Sequence, residues 1–125
     1  MGPLIAVVDD DISVRESLQS LIRSAGMEVS LFGSAEEFLN AVHARKADCL
    51  ILDVRLPGMS GFELQRHLMA RKCTVPVIFM TGHGYDEHAR SEASSGWTVA
   101  YLTKPFTEDE LLDAVQAASK WKSSN

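Results

Sequence analysis

This sequence predicts a doubly wound α/β fold: five parallel strands with five helices packed on both faces of the sheet. Three observations predict it. Short continuous apolar runs alternate with longer stretches in which apolar residues recur at helical spacing. The runs lack the polar alternation of a half-solvated sheet, as strands buried on both faces do. Ser/Thr-x-x-Glu patterns stand where the second, third and last helices should begin.

The elements follow in order. Leu4-Ile5-Ala6-Val7-Val8 is the first strand and runs into Asp9, Asp10 and Asp11. Val14, Leu18, Leu21, Ile22 and Ala25 line one face of the first helix, which Gly26 closes. Val29 to Phe32 is the second strand. Ser34 and Glu37 form a capping box, and Phe38, Leu39 and Val42 give the second helix its apolar side. Asp48 to Asp53 is the third strand, followed by the turn Leu56-Pro57-Gly58-Met59. Ser60 and Glu63 cap a third helix carrying Phe62, Leu64 and Leu68. Val77 to Met80 is the fourth strand. Asp86 to Ser95 has the length of a fourth helix, but only Ala89 and Ala93 supply an apolar side. Two alanines bury little, so packing should hold this segment weakly. Thr98 to Leu102 is the fifth strand. Thr107 and Glu110 cap a last helix with Leu111, Leu112, Val115 and Ala118. The domain is expected over residues 1–122, with 123–125 a frayed end or linker stub. Crossovers should be right-handed. The pattern alone does not select a strand order; 2-1-3-4-5, a common doubly wound order, is the expectation.

Composition limits the function classes. The chain has 125 residues, enough for one domain with its own core. An apolar share of 46% and a charged share of 23% are ordinary for a globular protein. A net charge of −5 argues against direct nucleic-acid binding and against an anionic membrane surface. No apolar run approaches the roughly 18 residues of a membrane span. Cys49 and Cys73 make no disulfide framework; Cys49 fills core space, and the setting reads as a reducing cytosol.

Ligands of doubly wound sheets bind beyond the carboxyl ends of the strands. The first strand ends in Asp9-Asp10-Asp11, the third in Asp53, the fourth in Thr81-Gly82-His83-Gly84 and the fifth in Thr103-Lys104-Pro105. Each piece alone has an ordinary reading: a solvated Asp loop, a turn anion, a strand-end hydroxyl, a loop lysine. Together they place acids, a hydroxyl and an ammonium on one edge. Clustered carboxylates repel and call for a counter-charge. Mg²⁺ supplies one, because it takes one or two carboxylates, waters and a phosphate oxygen. An aspartate can act as a nucleophile toward phosphorus, and a lysine can neutralise the phosphoryl group.

The motifs Val7-Val8-Asp9-Asp10, Asp53-Val54-Arg55-Leu56-Pro57-Gly58-Met59-Ser60-Gly61, Met80-Thr81-Gly82-His83-Gly84 and Lys104-Pro105-Phe106 resemble those of response-regulator receiver domains, in wording closest to the FixJ type. The resemblance covers essentially the whole chain. It implies a phosphorylation-activated switch with Asp53 as phosphoacceptor and Mg²⁺ as cofactor. Asp10, Asp53 and the backbone carbonyl of Arg55 are then implied as direct Mg²⁺ ligands, with Asp9 acting through a water. Thr81 is implied as the hydroxyl that closes on the phosphoryl group, Lys104 as its cationic partner and Tyr101 as the aromatic switch. A cis Lys104-Pro105 bond is also implied. The implied partners are a sensor histidine kinase and, on phosphorylation, a second copy of the chain. Transcriptional control would pass through an output domain not present in this chain. Beyond its own phosphorylation and dephosphorylation the domain is expected to catalyse nothing.

Asp11 carries no metal role by this match and is favoured as the cap of the first helix. No histidine has metal-ligand spacing, and His83 reads as a loop residue near the site mouth. The sequence departs from the family in two places. Asp86 to Ser95 lacks the larger apolar residues that members carry. Gly96-Trp97-Thr98-Val99-Ala100-Tyr101 is about one residue longer than in close relatives. Two rival readings exist. An aspartate-nucleophile phosphatase would place a second acid where Arg55 stands, and a pseudo-receiver would not keep the acid, hydroxyl and lysine set intact.

Overall fold

The computed structural model describes residues 2–41, 47–82 and 98–124. The elements are β1 (Leu4–Val8), α1 (Ile12–Ser24), β2 (Glu28–Phe32), α2 (Ala35–Asn40), β3 (Cys49–Asp53), α3 (Gly61–Ala70), β4 (Val77–Thr81), β5 (Thr98–Thr103) and α4 (Glu108–Ser124). The strands form one parallel sheet in the order β2-β1-β3-β4-β5, the order expected. The fourth helix expected over Asp86–Ser95, together with His83 and Trp97, lies outside the described residues. So does Val42.

Alternation along the strands sends side chains to two cores. Ala6, Val8, Leu50, Leu52, Val77 and Phe79 pack with Phe38, Phe62, Leu64 and Leu68 of α2 and α3. Ile5, Val7, Cys49, Ile51, Ile78 and Met80 pack with Leu18 and Ile22 of α1 and Leu111, Val115 and Ala118 of α4. The central strands β3 and β4 are buried at every residue. The edge strands β2 and β5 are largely half-buried, because each has a neighbour on one side only.

Local chemistry sets the helix starts. Asp11 caps α1, its carboxylate accepting the Ser13 N–H at 2.8 Å. Ser60 caps α3 through the Glu63 N–H. Thr107 and Glu110 close a full reciprocal capping box at α4, both bonds 3.1 Å. At α2 the box closes one residue early: Ser34 accepts from Glu37 N–H, but the Glu37 carboxylate reaches past Ser34 to Gly33 N–H. Ala25 caps the C-terminus of α1 and is exposed, so the buried face is narrower than its spacing suggests. Asp48 stands just before β3 and accepts Leu4 N–H at 2.8 Å, tying the start of β1 to the approach of β3. α4 continues through Ser123 and Ser124, where composition suggested a frayed end.

β5 is irregular before Tyr101. Val77 pairs with Thr98 but Ile78 pairs with Ala100, so Val99 is a bulge. Val99 and Ala100 in consequence both pack on the α1/α4 side, while Tyr101 packs on the α3 side. Thr98 also meets α3, accepting a 2.9 Å hydrogen bond from buried Gln65 Nε2. Deleting Val99 leaves Thr98 and Tyr101 two positions apart, the spacing at which a regular strand keeps both on one face. The deletion is expected to give a folded protein destabilised by only about 1 kcal/mol, the loss of one half-buried valine. Urea denaturation checks this, and a deletion protein that no longer folds would show the bulge to be obligatory.

Candidate functional site

Strand register assembles the site. Val8 pairs with Leu52, so Asp9 emerges beside Asp53. Asp53 pairs with Met80 and Thr81 with Thr103, so Thr81 and Lys104 stand along the same edge. Lys104 N–H donates to the Thr81 carbonyl at 2.7 Å, which fixes the chain where the lysine leaves the sheet. The Lys104-Pro105 bond is cis.

Asp9 is fully buried, Asp53 and Thr81 are nearly so, and Asp10 is exposed. Asp9, Asp10 and Asp53 each offer an oxygen, all within 4.8 Å of one another. Lys104 Nζ bridges two of them, 2.9 Å from Asp9 Oδ2 and 3.3 Å from Asp53 Oδ2. Asp53 Oδ1 accepts the Arg55 N–H at 3.0 Å, and Asp9 Oδ1 accepts the Asp11 N–H at 2.9 Å. The Arg55 side chain points to solvent. Tyr101 is half-buried against Phe79, ring centroids 6.5 Å apart, on the α3 side of β5.

Burial raises the Asp53 carboxyl above its ordinary range. The Arg55 N–H opposes this, the Asp9 charge reinforces it, Lys104 opposes it, and the sum stays upward. For Lys104 burial acts to lower, but the Asp9 hydrogen bond and the charges of Asp53 and Asp9 outweigh it and hold the ammonium above its usual range. A raised carboxyl contributes stability that is complete below the unfolded value of 3.8 and lost as pH rises through the folded value. Asp53 therefore opposes folding at neutral pH. Asp53→Asn is expected to melt at a higher temperature than the parent at pH 7 without divalent cations, the difference closing in acid. Scanning calorimetry checks this, and a lower melting temperature at pH 7 contradicts it.

Three carboxylates and one ammonium leave two formal negative charges on hard oxygen donors. That donor set and balance fit a divalent cation such as Mg²⁺. The profile of the response regulator receiver domain family matches residues 5–116. The chain belongs to that family. The receiver is 49% identical over 117 residues to nodulation protein W of Bradyrhizobium diazoefficiens, a match covering 94% of this chain and 51% of the relative. It is 40% identical over 114 residues to the transcriptional regulatory protein FixJ of the same organism, covering 91% and 55%. The receiver thus spans about half the length of these curated relatives. Among solved structures, FixJ-N superimposes with a TM-score of 0.84 at 35% identity, covering 96% of this chain and 95% of that one. The response regulator StyR gives 0.84 at 41% identity, covering 99% and 62%.

The structure brings Asp9, Asp10, Asp53, Thr81 and Lys104 to one edge of the receiver and sets Tyr101 two strand positions before the Thr81–Thr103 pair on the α3 side. Three contributors are additional to the residues singled out from sequence. Arg15 Nη1 donates to the Asp9 carbonyl at 2.6 Å. Gly61 abuts the Asp53 backbone, and the Glu36 carboxylate accepts the Met59 N–H, tying α2 to the loop after Asp53. Two carried a sequence signal. A cation near a helix N-terminus opposes the dipole, and a glycine directly after a capping serine is a poor helix former.

Proposed function

We propose that this receiver is a Mg²⁺-dependent phosphoacceptor switch. Asp53 takes a phosphoryl group from a sensor histidine kinase in the cytoplasm. An Asp53 carboxylate oxygen forms a bond to phosphorus as the donor's P–N bond breaks; the histidine leaves with the electron pair and takes up a proton. The observation that carries the reading is Lys104 bridging Asp9 and Asp53 inside a cluster of three carboxylates.

Asp10, Asp53 and the Arg55 carbonyl would hold the metal directly and Asp9 through a water. When bound, the metal neutralises negative charge on the phosphoryl oxygens. Lys104 is positioned to move its ion pair from the carboxylates to a phosphoryl oxygen. Thr81 supplies a hydroxyl at the end of the neighbouring strand, and Tyr101 follows its movement on the α3 side. A groove of about 660 Å³ beside Lys104, lined in part by Val14, Leu18, Pro105 and Phe106, gives a donor room to approach. Transcriptional output is supported by relatives called transcriptional regulatory proteins. Pairing of phosphorylated copies belongs to the same proposal.

The test is intact-mass measurement after incubation with Mg²⁺ and acetyl phosphate. The parent should gain one phosphoryl group and Asp53→Asn none. Equal labelling of both, or none of the parent, overturns the assignment.

A further inference from the structure

Asp9 has every polar group engaged. Its N–H donates to the Phe32 carbonyl at 3.1 Å, Oδ1 accepts from Asp11 N–H, Oδ2 from Lys104, and its carbonyl from Arg15 Nη1. Asp10 is different. Its residue is exposed, so packing does little to orient it. Its direction is set by the peptide planes on either side. The two planes are held differently: the Arg15 guanidinium takes the Asp9 carbonyl of the peptide leading into Asp10 at 2.6 Å, and Asp9 Oδ1 takes the Asp11 N–H of the peptide leaving it at 2.9 Å. Arg15 of α1 thus fixes the peptide that leads into Asp10, on the side that Asp9 Oδ1 does not hold.

The guanidinium lies against Gly33. A Cβ at Gly33 would lie 3.4 Å from Arg15 Nη1 and 3.4 Å from Glu37 Oε2. Any larger side chain there would press on the guanidinium. Glu37 in turn holds Gly33 through its N–H at 3.1 Å. The second capping box, closed one residue early, is therefore part of the wall against which Arg15 lies.

We infer that Arg15 is a positioning residue for Mg²⁺: it touches neither metal nor phosphoryl group but holds the Asp9–Asp10 peptide so that the Asp10 carboxylate faces Asp53. This rests on reading the cluster as a Mg²⁺ site. Residues that orient metal ligands without touching the metal typically alter affinity about ten- to a hundredfold when replaced. Two effects of the guanidinium oppose each other. Its charge repels a cation nearby, so charge alone predicts tighter Mg²⁺ binding when Arg15 is neutralised. Its hydrogen bond orders Asp10, so positioning predicts weaker binding. The sign separates them.

Calorimetric titration of Mg²⁺ into the intact chain decides the matter, with Asp10→Asn, Arg15→Met and Arg15→Lys as variants. Arg15→Met is expected to bind Mg²⁺ about tenfold more weakly. Arg15→Lys, which keeps a donor and the charge, should recover part of the loss. In acetyl phosphate labelling, Arg15→Met should need more Mg²⁺ for half-maximal rate while reaching the parent's maximal rate. Equal or tighter Mg²⁺ binding by Arg15→Met overturns the inference, as does a fall in maximal rate at unchanged Mg²⁺ dependence. If Arg15→Met does not fold, the comparison passes to Arg15→Lys, whose Mg²⁺ affinity must then fall below the parent's. A parent that binds no Mg²⁺, or Asp10→Asn binding like the parent, overturns the metal reading itself.

Discussion

Gly61→Ala is expected to destabilise the protein by about 2 kcal/mol and to slow phosphorylation of Asp53. Gly61 is the first residue of α3, and its N–H donates to the Val54 carbonyl at 3.1 Å. A methyl group there would lie 2.4 Å from the Asp53 carbonyl oxygen and 3.1 Å from the Asp53 carbonyl carbon and Val54 Cα. All three atoms are backbone, at the end of a strand paired on both sides. No flexible side chain can yield. Either the start of α3 lifts away, losing the Val54 bond and loosening the Ser60 cap, or Asp53 is pushed within the site. Helix propensity alone predicts the opposite sign, since alanine exceeds glycine by about 1 kcal/mol in a helix. The contact wins because overpacking against rigid neighbours typically costs about 1–3 kcal/mol, and this neighbour is main chain. Chemical denaturation gives the number. A Gly61→Ala protein as stable as the parent would show that α3 can shift without penalty.

Lys104→Met should have the larger effect, a loss of roughly 3 kcal/mol at neutral pH. Methionine keeps much of the side-chain volume and removes the charge. Asp9 is then left fully buried beside Asp53 without the cation that bridges them, and no other cation among the described residues forms a salt bridge to either. Lys104 retains 24% side-chain exposure, which places the loss at the lower end for breaking a buried pair. The raised folded value of Lys104 sets the sign. Its contribution is complete below the unfolded value of 10.5 and lost only as pH rises through the folded value, so the parent holds all of it at pH 7. In the variant Asp53 loses the cation that offsets part of its burial, so its already raised carboxyl is pushed further up. The stability gap between parent and variant should accordingly narrow as pH falls toward the ordinary carboxylate range. Denaturation at pH 7 and pH 5 tests both statements, and a gap that widens in acid would rule out the electrostatic account.

Much of this receiver is legible in its sequence because its main signals are local or periodic. A continuous apolar run marks a buried strand, and each polar residue at its end is carried to the same edge by parallel pairing. Asp9, Asp53, Thr81 and Lys104 therefore declare themselves together. What was not legible depends on three-dimensional contacts that follow no repeat in the chain. The demand for glycine at position 61 comes from the Asp53 carbonyl, eight residues back and across a turn. The Arg15 contact is a side chain meeting a main-chain oxygen, and no periodicity encodes it. Glu37 matched the capping-box spacing, but the geometry before α2 gave it Gly33 instead of Ser34. The bulge at Val99 shows only in the pairing of β5 with β4.

That bulge also bears on how copies of the chain behave when crowded. β5 is the outermost strand on its side, and an outer strand carries main-chain donors and acceptors that a foreign strand can zip onto. Zipping needs evenly spaced groups over several residues. Past Val99, only Ala100 to Thr103 keep regular spacing before β5 ends. Four regular residues are a short template for fibre-like stacking. The bulged valine therefore guards the border of the sheet against unwanted polymerisation, and a chain that lost it would gain a straighter strand and a more adhesive rim.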